Sequence, residues 1–407
     1  MFAAYLTYQL IDVALALLVV AWVDRRVGGR ASLRRTLTRS VPLSAALLLL
    51  IALVCGAWLH HLVGWLAWNL FERPWSIRFL GVGAAYWGGT LVLPALVVAR
   101  AWRAGRVARV GSLLALAATL LLAFEMSWRE PRRIVVERRA VVLADWPLGA
   151  PPLTVAVLAD LQSPLLCARE RELVAQVAAA APDLIVLPGD LVAQSFADAQ
   201  SIACARFVLD GTQAPLGSFA VNGDIDPLVE GGLAEVVRGT RARALANESV
   251  VLALPGGGTF ELAGFDAEQP ERFAELLAAP PRAPLRVALV HKPEHVEALG
   301  PAGFDLVIAG HTHGGQIVVP GIGPLVTLSK LPDAIDAGGL HAFAGTELYV
   351  SRGLGCEAGF APPLRLFCPP ELTLLELRGP TAREGSAADG APPAAPRTPS
   401  ASDARHD

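Results

Sequence analysis

The chain has 407 residues, 53% of them hydrophobic and 17% charged, with a mean hydropathy of +0.47, too apolar to be a soluble enzyme throughout or a disordered chain. A formal net charge of −3, with no basic face, excludes a nucleic-acid module. The five cysteines, Cys55, Cys167, Cys204, Cys356 and Cys368, contain no Cys-x-x-Cys pair, so neither a disulfide framework nor a thiolate zinc site is indicated.

The first third carries four apolar runs, 5–23, 41–63, 79–99 and 110–126, each near the roughly 20 residues that cross a bilayer as helix. Four transmembrane helices are expected over residues 1–126, followed by a juxtamembrane linker over 127–152. No basic segment precedes the first run and no small-residue cleavage site follows it ahead of Asp24-Arg25-Arg26, so it reads as a retained helix. Asp12 reads as facing the bundle, and His60 and His61 as interfacial beside Trp58 and Trp65. Arginine bias sets the orientation. Arg25, Arg26, Arg30, Arg34, Arg35 and Arg39 after the first run, and Arg100, Arg103, Arg106 and Arg109 after the third, belong on the cytoplasmic side. That puts the catalytic part of a multi-pass cell-membrane protein on the outer face, although Arg129, Arg132, Arg133, Arg138 and Arg139 pull the other way.

From Leu153 short Val/Leu/Ile-rich segments alternate with Ala/Glu/Arg stretches, the pattern of a layered α/β domain, here spanning 153–378. Expected strands are 154–158, 184–187, 218–221, 250–254, 286–290, 306–309, 348–351 and 372–377. Expected helices are 169–181, 228–238, 268–278 and 293–299. Residues 379–407, full of Ala, Pro, Ser and Gly without periodicity, read as a disordered tail.

Polar residues fall where these strands end. Asp160 closes the first and Gly189-Asp190 the second; Gly223-Asp224-Ile225-Asp226 closes the third; His291 and Gly310-His311-Thr312-His313-Gly314-Gly315 close two more. One strand-terminal Asp is usually a cap or turn residue, but five such endings match the carboxyl edge where α/β sheets gather ligands. Asp160, Asp190, Asp224, His291, His311 and His313 offer carboxylates and imidazoles without thiolates, a set suited to Mn²⁺, Fe or Zn²⁺. They exceed the three protein ligands of a single catalytic ion, so two divalent ions sharing a carboxylate are expected. Such a pair, about 3.5 to 4 Å apart, creates a hydroxide nucleophile and clamps the attacking and leaving oxygens of a phosphoryl displacement. Arg352, in a glycine-flanked loop after a strand, is a candidate phosphate-binding fork, with capping of the sheet end as its structural alternative. His295, a turn after His291, reads as facing solvent, and Cys167, Cys204 and Cys356 as core or loop residues.

In this order the blocks Asp160-x-Gln162, Gly189-Asp190, Gly223-Asp224-Ile225-Asp226, His291 and Gly310-His311-Thr312-His313 resemble the five blocks of the calcineurin-like metallophosphoesterases. Tyr349-Val350-Ser351-Arg352-Gly353-Leu354-Gly355 and Cys368-Pro369-Pro370-Glu371 are similar to the bacterial membrane-associated branch, which includes phosphodiesterases and UDP-diacylglucosamine pyrophosphatases. The resemblance implies a four-layer α/β/β/α sandwich, here preceded by the four transmembrane helices, with a dinuclear centre at the strand ends. It assigns Asp160, Asp190 and His313 to one ion, and Asp190 as bridge with Asp224, His291 and His311 to the other. Two positions depart from the family pattern. Gln162 stands for a histidine ligand and keeps at most an amide oxygen. Asp224-Ile225 stands for Asn-His, so a carboxylate replaces an amide and the imidazole that contacts phosphate and assists as acid is absent at Ile225. The more oxygen-rich set favours Mn²⁺ or Mg²⁺ over Fe or Zn²⁺. Loss of an acid contribution of about 10²- to 10⁴-fold favours good leaving groups.

The expected function is metal-dependent hydrolysis of a phosphodiester or pyrophosphate bond, in a lipid-linked or nucleotide-sugar substrate, by a membrane-anchored phosphoesterase. Its nucleophile is a metal-bridging hydroxide, and no residue is assigned as protein-borne acid. The alternative is a membrane-anchored pseudoenzyme of the same fold acting as a binding or scaffold protein, for which Gln162 and Ile225 speak and against which six retained ligand positions speak. The apolar runs carry no broken-helix or repeat signal of a transporter.

Overall fold

Leu184–Leu187 and Leu306–Ala309 bury every residue, as parallel strands covered on both faces do, and each lies inside one of two six-stranded sheets. This computed structural model describes residues 86–380 except 87, 103–104, 164–167, 194–198, 325–328, 344 and 358–362. The first sheet runs in the order β1 (Val135–Val142), β14 (Glu371–Arg378), β2 (Leu153–Val157), β3 (Leu184–Leu187), β4 (Ser218–Ala220) and β5 (Ala242–Ala244). The second runs β12 (Gly339–Phe343), β13 (Thr346–Val350), β9 (Leu306–Ala309), β8 (Leu285–Leu289), β7 (Thr259–Gly264) and β6 (Glu248–Ala253). Strands β2 to β5 are parallel to one another, as are β13, β9, β8 and β7. A short hairpin, β10 (Val318–Val319) with β11 (Gly323–Pro324), follows β9.

Alternation along the strands sorts the side chains into layers. Val155, Val157, Val186 and Leu375 of the first sheet meet Leu262, Val287, Leu289 and Ile308 of the second in one shared cluster. On the opposite face of the first sheet, Ala156, Leu158, Ile185 and Leu187 pack with Leu173, Val177, Val208 and Leu233. Those four belong to the helices Ala168–Ala180, Ala199–Gly211 and Gly232–Val237. Outside the second sheet, Ala288, Val307 and Leu348 pack with Val296 and Leu299 and the half-buried Phe273 and Leu276. The layers are therefore helix, sheet, sheet, helix, a mixed α/β arrangement in which parallel pairings dominate.

The eight expected strands appear with ends shifted by a few residues, and the differences are physical. The segment 127–152, read as a linker, contains β1, which pairs in parallel with β14 along its full length. Its burial alternates weakly because it is an edge strand with Arg138 and Arg139 facing water. Strand β7 was not expected because Glu261 interrupts it; the carboxylate is buried against Arg286, 3.0 Å away. The helix Ala199–Gly211 was not expected either.

Among the described residues one helix, Arg106–Arg132, is long and apolar enough to cross a membrane. It exposes Leu113, Leu114, Leu121 and Phe124. A shorter helical stretch, Gly88–Ala99, falls in the third apolar run. The runs 5–23 and 41–63, with Asp12, Cys55, His60 and His61, lie outside the described residues, as do Cys167 and the tail beyond 380, so the four-helix expectation reduces here to one spanning-length helix. That helix is joined to the domain by the Arg365 amide, which donates to the Met126 carbonyl at 2.8 Å.

Candidate metal centre

Each parallel strand ends on the same edge, so the residues that follow β2, β3, β4, β8 and β9 are delivered to one place. Those turns are sharp. Nine non-glycine described residues have positive φ, and Asp160, Gln162, Asp190, His311 and His313 are five of them. Strain of this kind concentrates where function requires it. Gly223 makes the closest approach possible: a Cβ there would lie 2.0 Å from Asp190 Oδ1.

Two groups of side chains have their ligand atoms mutually within 4.8 Å: Asp160, Asp190 and His291, and Asp224, His291 and His311. His291 Nε2 lies 3.5 Å from Asp190 Oδ2 and 3.2 Å from His311 Nδ1. His291 Nδ1 faces the Pro188 carbonyl at 2.8 Å, which holds the ring with Nε2 toward the centre. His311 Nδ1 lies 3.7 Å from Asp224 Oδ2, at the half-exposed rim. His313 joins neither group, yet it is fully buried and neither ring nitrogen has a hydrogen-bond partner of good geometry. A buried unpaired imidazole is costly, and a carboxylate–imidazole set beside it fits divalent cations.

The electrostatics carry the same strain. Burial raises Asp160 to about 7 and raises Asp190 as well, their mutual repulsion adding to it in Asp160. Burial opposes charge on His291, but Asp190, Asp160 and Asp224 outweigh it and lift the imidazole to about 9. Asp224 is held below its ordinary value, burial being outweighed by His291, Lys292 and His311. Burial holds His313 neutral, well below the usual imidazole range, against a slight contrary pull from the backbone at Gly355. Packed carboxylates that resist ionisation together are relieved by a bound cation.

Several sequence readings change here. Gln162 donates its amide nitrogen to Asp190 Oδ2 at 2.7 Å, which orients that carboxylate. Ile225, the family's acid position, is 2% exposed in the apolar cluster with Leu191 and Leu233, while its backbone N–H donates to Asp190 Oδ1 at 2.9 Å. Arg352 donates to the buried Glu371 and approaches Glu137 at 3.9 Å, contacts of the kind the sheet-end capping alternative describes. His295, read as solvent-facing, has a buried Nε2.

Three residues escaped the sequence reading. Asp226 accepts hydrogen bonds from the backbone N–H groups of Asp190, Leu191 and Gly223 at 2.9, 2.8 and 3.0 Å; its place as fourth residue of the third block was the available signal. Arg365, fully buried, donates to the carbonyls of Arg352, Gly353, Gly355 and Cys368, and no local pattern marks it. Lys292 places Nζ 2.8 Å from Asp224 Oδ1; its position next to His291 was visible.

No protein-family model matches the chain. Among curated proteins, phosphodiesterase YaeI of Escherichia coli K12 is 32% identical over 203 residues, covering 48% of this chain and 70% of YaeI. Metallophosphoesterase Cj0846 of Campylobacter jejuni is 30% identical over 222 residues, covering 51% of this chain and 54% of that protein, about half its length. Metallophosphoesterase YkuE of Bacillus subtilis is 29% identical over 207 residues, covering 48% of this chain and 68% of YkuE. The chain belongs to the calcineurin-like metallophosphoesterases, metal-dependent hydrolases of phosphoric esters.

Proposed function

We propose that this protein hydrolyses a phosphodiester or pyrophosphate bond at a centre of two divalent ions, Mn²⁺ first among them, while anchored in the cell membrane and acting on a lipid-linked or nucleotide-sugar substrate. The observation that carries this reading is the pair of donor groups sharing His291, with buried, unpartnered His313 beside them. Asp160, Asp190 and His313 are the residues to hold one ion, and Asp224, His291 and His311, with Asp190 shared, the other. Two divalent ions there supply an acidified water and charge neutralisation for phosphoryl displacement.

The chain's own residues do the positioning. Asp226 fixes the backbone under Asp190; Gln162 and the Ile225 N–H fix its two oxygens. His311 N–H donates to both oxygens of Asp160 at 3.1 Å. Isoleucine at position 225 offers no imidazole to protonate a departing oxygen, so good leaving groups are favoured. The membrane part of the reading draws on the apolar helix Arg106–Arg132 and its junction with the loop that carries Arg365; the lipid-linked or sugar-nucleotide substrate draws on the resemblance to the membrane-associated branch.

The test is a leaving-group series on the full chain purified in detergent and loaded with Mn²⁺. Bis-p-nitrophenyl phosphate and a nucleotide-sugar pyrophosphate are cleaved, an alkyl phosphomonoester scarcely at all, and Asp190→Asn is inactive. A wild type that is inactive on every ester while taking up about two ions per chain favours the pseudoenzyme; one that takes up none overturns the reading of the site.

A further inference from the structure

Positions 224 and 225 carry the chain's double departure from the family block, and a cation found in no block stands beside them. Lys292 follows His291 out of β8 with extended backbone, φ −88° and ψ 127°, immediately before Pro293. Its Nζ lies 2.8 Å from Asp224 Oδ1, while Asp224 Oδ2 faces His311 Nδ1. One carboxylate is thus flanked by an imidazole of the centre and by an ammonium. A cleft beside the centre is lined by Asn222, Asp224, His291, Lys292 and His295.

Among the described residues, three arginines close to the centre are committed elsewhere. Arg352 is paired with Glu371, Arg365 is buried on backbone carbonyls, and Arg169 is bound to Glu170 and Ser163. Lys292 keeps 31% of its side chain exposed, and an ammonium has three donors of which Asp224 occupies one. A carboxylate in place of an amide adds a negative charge facing an anionic substrate, and the lysine cancels it.

We propose that Lys292 is a substrate-binding residue of this site, its ammonium holding a non-bridging oxygen of the scissile phosphate while Asp224 tethers it, so that an Asp–Lys pair stands where the family has Asn and His. This rests on the phosphoesterase reading above and adds to it the group that contacts the phosphate.

The experiment uses the full chain loaded with Mn²⁺ and inorganic phosphate as probe, with affinity from calorimetry and metal content from elemental analysis. Lys292→Gln keeps its metal and binds phosphate about tenfold to a hundredfold more weakly, the loss of one charge-assisted hydrogen bond. Lys292→Arg recovers most of the affinity. The same loss appears when Lys292→Gln is made in an Asp224→Asn background, which separates contact with phosphate from mere neutralisation of Asp224. The proposal is overturned if Lys292→Gln binds phosphate as well as wild type, if the loss vanishes in the Asp224→Asn background, or if metal content falls in step with phosphate binding. A metal-loaded wild type that does not bind phosphate also overturns it. A wild type without metal brings down the phosphoesterase reading first.

Discussion

At the scale of single residues, Asp190 is the most heavily supported side chain of the centre. Its own amide is held by Asp226, and its oxygens are met by Gln162 and by the Ile225 amide. Two substitutions follow from that geometry. Gly223→Ala would drive a methyl group onto Asp190, 2.0 Å from one carboxylate oxygen and 2.3 Å from its backbone nitrogen, with no flexible neighbour to yield. Metal content measured after loading should drop to near zero and the melting temperature should fall. Asp226→Ala leaves several buried N–H groups unpaired, at a cost on the order of 3 kcal/mol, readable in chemical unfolding; an unchanged midpoint would show that water replaces the carboxylate. Ile225→His, which the family pattern suggests as a repair, instead puts an imidazole among Leu191, Leu233 and their neighbours. It should destabilise by roughly 2–4 kcal/mol without raising turnover of poor leaving groups.

At the scale of elements, β1 decides where the folded unit begins. It covers one edge of β14 along eight residue pairs, Val135 to Val142 against Glu371 to Arg378. A chain started at Leu153 would leave that edge of β14, whose first five residues are buried, as an open template for association. A chain started at Ile134 should remain monomeric in light scattering, while one started at Leu153 should aggregate; equal behaviour would mean that β1 is dispensable. Why the alternation reading passed over β1 and β7 is the same in both cases. Each carries charge where an expected strand is apolar, β1 because it is an edge and β7 because Glu261 finds Arg286 only across the strand pair. The helix Ala199–Gly211 was passed over although it buries Ser201, Cys204, Ala205, Val208 and Leu209 on one side.

At the scale of the whole molecule, the centre stores electrostatic stress that should appear in the pH dependence of stability of the metal-free protein. Asp160 is raised from 3.8 to about 7 and Asp226 to about 6, in both mainly by burial. Glu357 is raised from 4.5 to about 8, again by burial first and then by Asp190 and Asp160. His291 is raised from 6.5 to about 9 because three carboxylates outweigh its burial. In every case the native state holds protons that the unfolded chain has released, so stability falls as pH rises. The carboxyl groups impose their penalty across the window from about 4 to 8. The imidazole contributes fully below 6.5 and loses its contribution as pH passes about 9. His313 and His295, which burial holds below 6.5, act in the opposite sense up to about that pH. Melting of the chelator-treated protein should therefore move to lower temperature from pH 7 to pH 9, and the gain in stability on adding Mn²⁺ should grow over the same range because metal competes with protons for these groups. A metal-free melting temperature that rises from pH 7 to pH 9 would contradict the arrangement of charges described here.

What the sequence by itself determined is the chemistry of the strand ends. Asp160, Asp190, Asp224, His291 and His311 each follow an apolar strand whose local pattern is readable, and parallel strands must deliver their ends to one edge, so chain order alone announced a centre of carboxylates and imidazoles. What only the tertiary structure decided is where the ambiguous side chains turn. Ile225 enters the core, Arg352 reaches Glu371, Gln162 serves Asp190, and Lys292 meets Asp224, all through contacts between loops distant in the chain. Such contacts leave no periodicity in sequence, because the direction of a side chain at a strand end is set by the loop packed against it and not by its own neighbours.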